Sequence, residues 1–259
     1  MDIFQAVILG TLQGIFEWIP VSSEAIVTLA GKYFFGFDYS DAISYAIWLH
    51  IGTLISAIVY FRAELIKIVK SIFNKNDKKE LLIFLITATF FSGIVALPLL
   101  YFAFNFPFPD WIFTIFVGLF LIIISFAQKM QKEGIEKRLT IKNGIILGIF
   151  QGFSALPGIS RSGITIAALL FRKYDLENAF KLSFLASIPI VFLAQISLPL
   201  IKEGFSISLS MIIGAGVSAV IGFLTIGILI NFARKANFSK ATLILGIIVI
   251  ILGVITYLA

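Results

Sequence analysis

The chain has 259 residues, of which 59% are hydrophobic and 13% charged, and its mean hydropathy is +1.05. A soluble domain carries about twice that share of charge, so a water-covered globule is excluded, as are disordered and collagenous chains. There is no Cys, which removes disulfides, thiolate nucleophiles and cysteine-bound metal. The single His, His50, removes any mechanism that needs two, including the lipid phosphatases that use a His pair with Arg and Lys; the net charge is +6.

The first apolar region, about 3 to 30, follows Met1-Asp2, which lacks the cationic region of a signal peptide, so it is expected to be retained. It is interrupted by Glu17-Trp18-Ile19-Pro20-Val21-Ser22-Ser23-Glu24. Uninterrupted spans are expected at about 42 to 61, 81 to 103 and 111 to 128. A second interrupted region follows at 143 to 171, broken at Ala155-Leu156-Pro157-Gly158-Ile159-Ser160-Arg161-Ser162-Gly163, and then spans at about 182 to 200, 207 to 231 and 241 to 258. Each plain span approaches or exceeds the roughly 20 residues that cross a hydrocarbon core. A charge at mid-bilayer costs about 2.5 to 3.5 kcal/mol on insertion scales. Pro removes a backbone donor, and broken backbone is tolerated there only beside protein or cavity water. Both interrupted regions are therefore expected to be re-entrant helical hairpins.

The basic residues support that layout. Segments 62 to 80, 129 to 142, 172 to 181 and 232 to 240 hold seventeen of the twenty Lys and Arg, as cytoplasmic loops should. The loops assigned to the outside hold Lys32 and Lys202, and Arg161 lies inside the second hairpin. The asymmetry appears only if both hairpins return to the side they entered, so the positive excess reports orientation and implies no nucleic-acid partner.

Leu9-Gly10-Thr11-Leu12-Gln13-Gly14 is echoed by Leu147-Gly148-Ile149-Phe150-Gln151-Gly152, and each is followed by Pro and a Ser-rich turn. Each hairpin then precedes three spans. The expected fold is an all-α polytopic membrane protein, one integral domain over 1 to 259. It has six transmembrane helices plus two re-entrant hairpins, with repeat one at about 1 to 128 and repeat two at about 143 to 259 in inverted topology. Such folds place a polar site of broken helices near the midplane at the repeat interface, where the two tips are expected to meet.

The first tip offers Gln13 and Glu17 on one helical face, then Ser22, Ser23 and Glu24. The second offers Ser160, Arg161, Ser162 and Thr165, with Gly158 and Gly163 allowing close backbone approach. Free N–H groups at a helix start and a guanidinium suit phosphate. Glu17 suits a divalent cation or the role of proton acceptor, with Ser23 or Ser22 as nucleophile. Structural readings stand beside these. Arg161 could pair with Glu17 as a buried ion pair, the serines could cap helices, and Gln13 and Gln151 could bond across the repeat interface. Trp18, Trp48 and Trp111 suit interfacial anchoring or ligand contact.

Gln13-Gly14-Ile15-Phe16-Glu17 with Pro20-Val21-Ser22-Ser23 resembles the (E/Q)xxxE and PVSS elements of the undecaprenyl-diphosphate phosphatase, or bacitracin-resistance, family. Pro157-Gly158-Ile159-Ser160-Arg161-Ser162-Gly163-Ile164-Thr165 is similar to its PGxSRSxxT element, and His50 to Leu54 and Phe184 to Pro189 also sit where that family has similar sequences. The resemblance implies a multi-pass protein of the cell membrane with a site open to the outer face and dependence on a divalent cation, Mg2+ or Ca2+. It also implies removal of the terminal phosphate of a polyprenyl diphosphate to recycle the lipid carrier. One position departs: where the family usually has a candidate catalytic His shortly after PVSS, this chain has Ile26. Glu24 or His50 is then the substitute for proton transfer, unless that His is dispensable or hydrolysis is lost. His50 lies about 12 Å into its span at 1.5 Å per residue, which suits rescue, and helix packing is the simpler role for it.

The expected catalytic residues are thus Ser23, Glu17 and Arg161, with Glu17 the metal ligand. Gln13, Ser22, Gly158, Ser160, Ser162 and Thr165 bind substrate. The partners are the lipid substrate and the bilayer, with assembly open between a monomer and a homodimer. The competing reading is a polyprenyl-phosphate flippase that uses the repeat for alternating access.

Overall fold

A computed structural model of the chain describes residues 1–20, 22–73, 79–105, 138–156, 159–201, 206–235 and 238–258, with isolated residues between 109 and 126. Among these there are ten α-helices and no strand: α1 (Ile3–Phe16), α2 (Ser23–Phe35), α3 (Tyr39–Tyr60), α4 (Arg62–Phe73), α5 (Lys79–Asn105), α6 (Ile141–Gly152), α7 (Arg161–Phe171), α8 (Leu176–Ile201), α9 (Leu209–Lys235) and α10 (Phe238–Leu258). A single 3-10 turn covers Phe153–Ala155.

Four helices are long and apolar enough to cross a membrane: Ser40–Tyr60, Lys79–Leu99, Leu176–Leu198 and Leu209–Phe232. They coincide with four of the expected spans and make this a multi-pass membrane protein. The expected span at 111 to 128 falls largely outside the described residues, and α10 occupies the place of the last one. One expectation is corrected. Residues 62 to 80 are not all loop, because α4 forms there, burying Ile68 and Ser71 one turn apart while Lys67 and Lys70 stay exposed. Helical spacing of its apolar residues survives among the cations.

The two interrupted regions each fold as a pair of short helices packed against one another, α1 with α2 and α6 with α7. The longest has 14 residues, about 21 Å at 1.5 Å per residue, short of a hydrocarbon core of about 30 Å. Asp2 starts α1 with a reciprocal capping box to Gln5, and Thr140 starts α6 by accepting from the Asn143 N–H. Ser22 starts α2 and Ser160 starts α7, each accepting from the N–H three residues on. Asp2 and Thr140, like Ser22 and Ser160, stand 138 positions apart. The repeat is therefore local structure as well as sequence. Gly36 ends α2 at φ 68, a left-handed conformation that suits Gly.

The helices gather into two compact units, one of residues 1–62 and 187–229 and the other of 63–186 and 230–259. In the first, α1, α2 and α3 pack mutually around Leu9, Val27, Ala30, Ala46 and Leu49, and α9 lies against α1 and α3. Gly10 faces the Gly214 carbonyl, Gly14 faces Ile221 and Gly222, and Gly52 faces the Ala215 carbonyl and Ser218, so a Cβ at any of them would collide. Ser56 Oγ donates to Ala219 O (2.6 Å), Ser218 Oγ to Leu49 O (3.0 Å) and Trp48 Nε1 to Met211 O (2.9 Å). Lipid tails are as apolar as Leu, so membrane helices associate through such close approaches and interhelical hydrogen bonds.

The second unit repeats the device with other partners. Gly144, Gly148 and Gly152 of α6 face the Phe84 carbonyl, the Ala88 carbonyl and Val95 of α5. Ser92 Oγ bonds the Ala88 and Gly148 carbonyls at 2.7 and 3.1 Å. The repeated Leu-Gly-x-x-Gln-Gly element is thus a packing element in both units: Leu9 and Leu147 are each 1% exposed, and each glycine pair seats a long helix. Trp18, also 1% exposed, is buried and cannot be an interfacial anchor. Trp111 stacks on Tyr257 with ring centroids 4.8 Å apart.

Candidate functional site

The first tip is built where α1 stops. Glu17 is the C-terminal cap of α1, still in helical conformation, with its N–H bonded to Gln13 O. That extra turn keeps the Gln13 and Glu17 side chains stacked at i and i+4, and Gln13 Nε2 donates to Glu17 Oε2 at 2.9 Å. After the turn Ser22 caps α2, and Ser23, its first residue, points back and donates its hydroxyl to the same Glu17 Oε2 at 2.7 Å. From α3, His50 places Nε2 3.1 Å from that oxygen, while its Nδ1 lies 2.7 Å from Ala46 O. Gln13, Glu17 and Ser23 are 0, 6 and 5% exposed. Three elements therefore converge on one oxygen of a buried carboxylate. Glu24, on the first turn of α2, is within electrostatic reach of His50, and Ile26 lies one helical turn after Ser23 on α2.

Gln13 bonds Glu17 at the end of its own helix. Gln151 donates to Ser92 Oγ of α5 at 3.0 Å, a bond inside the second unit that joins repeat two to repeat one. In both glutamines the amide nitrogen is occupied, and the buried Oε1 has no hydrogen-bond partner among the described residues. An orphaned buried acceptor is costly. At the first tip, Gln13 Oε1 beside Glu17 is the kind of hard oxygen that suits Mg2+ or Ca2+. No three Asp, Glu or His side chains cluster as a metal site among the described residues, so a cation held here would need the substrate's own phosphate oxygens to complete its shell.

The second tip follows the 3-10 turn, where Ser154 Oγ donates to Gln151 O at 2.7 Å. Pro157 and Gly158 lie outside the described residues, and with them the expected role of Gly158. Ser160 caps α7, its Oγ accepting from the Gly163 N–H (3.1 Å) and lying 3.2 Å from Ser162 Oγ. Arg161, half-buried at the first position of α7, donates from Nη1 to Ser183 O at 3.3 Å. Thr165 Oγ1 bonds Arg161 O (2.7 Å) and Ser183 Oγ (2.6 Å), so its hydroxyl braces α7 against α8. Ser160, Ser162, Thr165 and Ser183 are all 2% exposed or less. The start of α7 carries the positive end of the helix dipole with the Arg161 guanidinium beside it, a combination whose chemistry suits an anion.

Sequence reasoning missed Ser183, which holds the Arg161 side chain. Its signal was position alone, next to the Phe184 to Pro189 segment. It also left His50 as one of several substitutes, whereas its ring meets Glu17 directly.

Residues 6–255 match the family described as "Bacitracin resistance protein BacA". A protein of Methanococcoides burtonii named undecaprenyl-diphosphatase is 38% identical over 96% of this chain and 97% of its own length. Proteins of the same name from Saccharolobus solfataricus and Methanothrix thermoacetophila are each 35% identical. The first match covers 98% of this chain and 96% of the relative, the second 97% of each.

Proposed function

The chain belongs to the bacitracin-resistance family, and we propose that it is a membrane phosphohydrolase that removes the terminal phosphate of undecaprenyl diphosphate and leaves the monophosphate lipid carrier. The observation that carries the mechanism is the 2.7 Å hydrogen bond from Ser23 Oγ to a buried Glu17 oxygen, the contact a nucleophile and its base require.

In this reading Ser23 Oγ attacks the terminal phosphorus. The new Oγ–P bond forms, the bridging P–O bond breaks, the lipid monophosphate leaves with the electron pair, and the hydroxyl proton passes to Glu17. Water then attacks the phosphoserine, gives its proton to the base and frees inorganic phosphate as Ser23 recovers its own. Arg161 and the α7 start, with Ser160 and Ser162, neutralise phosphate charge, and preorganised donors of this kind usually supply the largest share of rate enhancement. Ser22 holds the nucleophile's helix in place through its cap, and Thr165 and Gly158 shape the second tip. Gln13 and Glu17 would hold a Mg2+ or Ca2+ ion, which when bound would neutralise diphosphate charge. The same reading takes the interrupted regions as re-entrant hairpins in an inverted repeat of six spans, with the isoprenoid tail between helices and the site open to the outer face. A homodimer belongs to it as well, checked by the protein mass in detergent.

The test is phosphate release from a long-chain polyprenyl diphosphate by purified protein, with and without Mg2+ or Ca2+. The expected result is release that stops on chelation and returns with the cation. Intact substrate after long incubation with active-site residues unmutated would instead favour a flippase.

A further inference from the structure

The single His sits in an apolar span, where a polar ring is expensive unless bonded, and it is bonded on both sides. Ala46 O, 2.7 Å from Nδ1, is a carbonyl and can only accept, so Nδ1 carries hydrogen. Nε2 faces Glu17 Oε2 at 3.1 Å, and an ionised Glu17 can only accept, so in this contact Nε2 carries hydrogen as well and the ring donates at both ends. The backbone that carries the ring is also fixed. Leu49 O accepts from Ser218, Trp48 donates to Met211 O, and Gly52 lies against the Ala215 carbonyl. His50 thus projects from a stretch of α3 held against α9, whereas Glu17 and Ser23 flank the turn between α1 and α2.

We propose that His50 is the positioning residue for the Glu17 carboxylate in this chain, holding Oε2 toward Ser23 by a hydrogen bond anchored on α3. The assignment rests on the phosphatase reading, in which Glu17 is the base. Gln13 restrains the carboxylate from its own helix and Ser23 is the group to be activated, whereas His50 reaches it from α3. Without it the carboxylate can rotate away from the hydroxyl, and a displacement of about 1 Å at a reacting pair can cost about 100-fold in rate.

The experiment compares His50→Ala and His50→Gln in purified protein, with kcat, KM and thermal stability measured for each. His50→Ala is expected to lower kcat about 100-fold with KM changed less than about threefold, the pattern of a lost orienting contact. His50→Gln, whose amide can still donate toward Glu17, is expected to recover most of that loss. An alanine variant with full kcat overturns the proposal, as does a glutamine variant that folds yet is as slow as alanine. The inference can fail apart from the reaction, because unfolding temperatures of Glu17→Ala, His50→Ala and the double variant read the contact without turnover. Additive shifts there refute the contact, and absence of phosphate release by the unmutated protein refutes the phosphatase reading instead.

Discussion

The two broken-helix regions share their caps and differ in the polar groups beside them. Both begin their second helix with a Ser cap, Ser22 and Ser160, and both carry a Gln one turn before the break. At the next positions they diverge. The first tip has Glu17 ahead of the turn and Ser23 after the cap, and its donors converge on a carboxylate. The second has Ala155 in the place of Glu17 and Arg161 in the place of Ser23; its Thr165 and Ser183 hydroxyls bond each other, and the guanidinium donates to the Ser183 carbonyl. The two regions keep the caps that set backbone geometry and differ in the side chains beside them, which the proposed function uses as base and nucleophile in one region and as a cation in the other.

The sharpest way to break this comparison is at the first tip. Ser23→Ala or Glu17→Gln is expected to lower phosphate release by about 1000-fold or more, the scale of losing a nucleophile or its base. A variant within tenfold of the unmutated rate would remove chemistry from that tip. Next in size is the second tip. Arg161→Ala is expected to cost about 100- to 1000-fold, the scale of one electrostatic stabiliser, and Arg161→Lys should recover part of it because the charge returns without the planar fork. Equal rates for the lysine and alanine variants would mean that charge is not what Arg161 contributes.

Smaller effects test the shared scaffold. Gly14→Val and Gly152→Val each push a side chain into the opposing helix, and overpacking of this kind costs about 1 to 3 kcal/mol, to be read as a fall in unfolding temperature. Loss in one and tolerance in the other would show that the two packings are not equivalent. Smallest is the cap pair: Ser22→Ala and Ser160→Ala should each cost about 1 kcal/mol if the two caps do the same work.

Much of this was legible before any coordinates. Seventeen cations sorted by position separated loops from spans, and Pro with Ser and charge inside an apolar run marked the two breaks, because backbone and charge obey strict rules in lipid. The helical stretch at 62 to 73 was missed because its cations outweighed its spacing. Of the paired Gln, Gln151 makes the link between repeats that one structural reading expects, through Ser92, while Gln13 turns to Glu17 on its own helix, since sequence shows that a side chain needs a partner and not which one is nearer. Residue type and spacing single out Glu17, Ser23 and Arg161 as candidates, yet nothing in the spacing joins His50, thirty-three positions on from Glu17, to that carboxylate.

The sequence alone determined that the chain lives in a membrane, where its helices break, which residues can cap them and which polar groups are too costly to be incidental. These follow from local chemistry: transfer cost, backbone satisfaction and the preferences of Pro, Gly and Ser. The tertiary structure decided which helices the glycines press against, that Ser183 holds Arg161, and that Gln13, Ser23 and His50 share one oxygen of Glu17. Those depend on contacts between elements distant in the chain, and only packing assigns them.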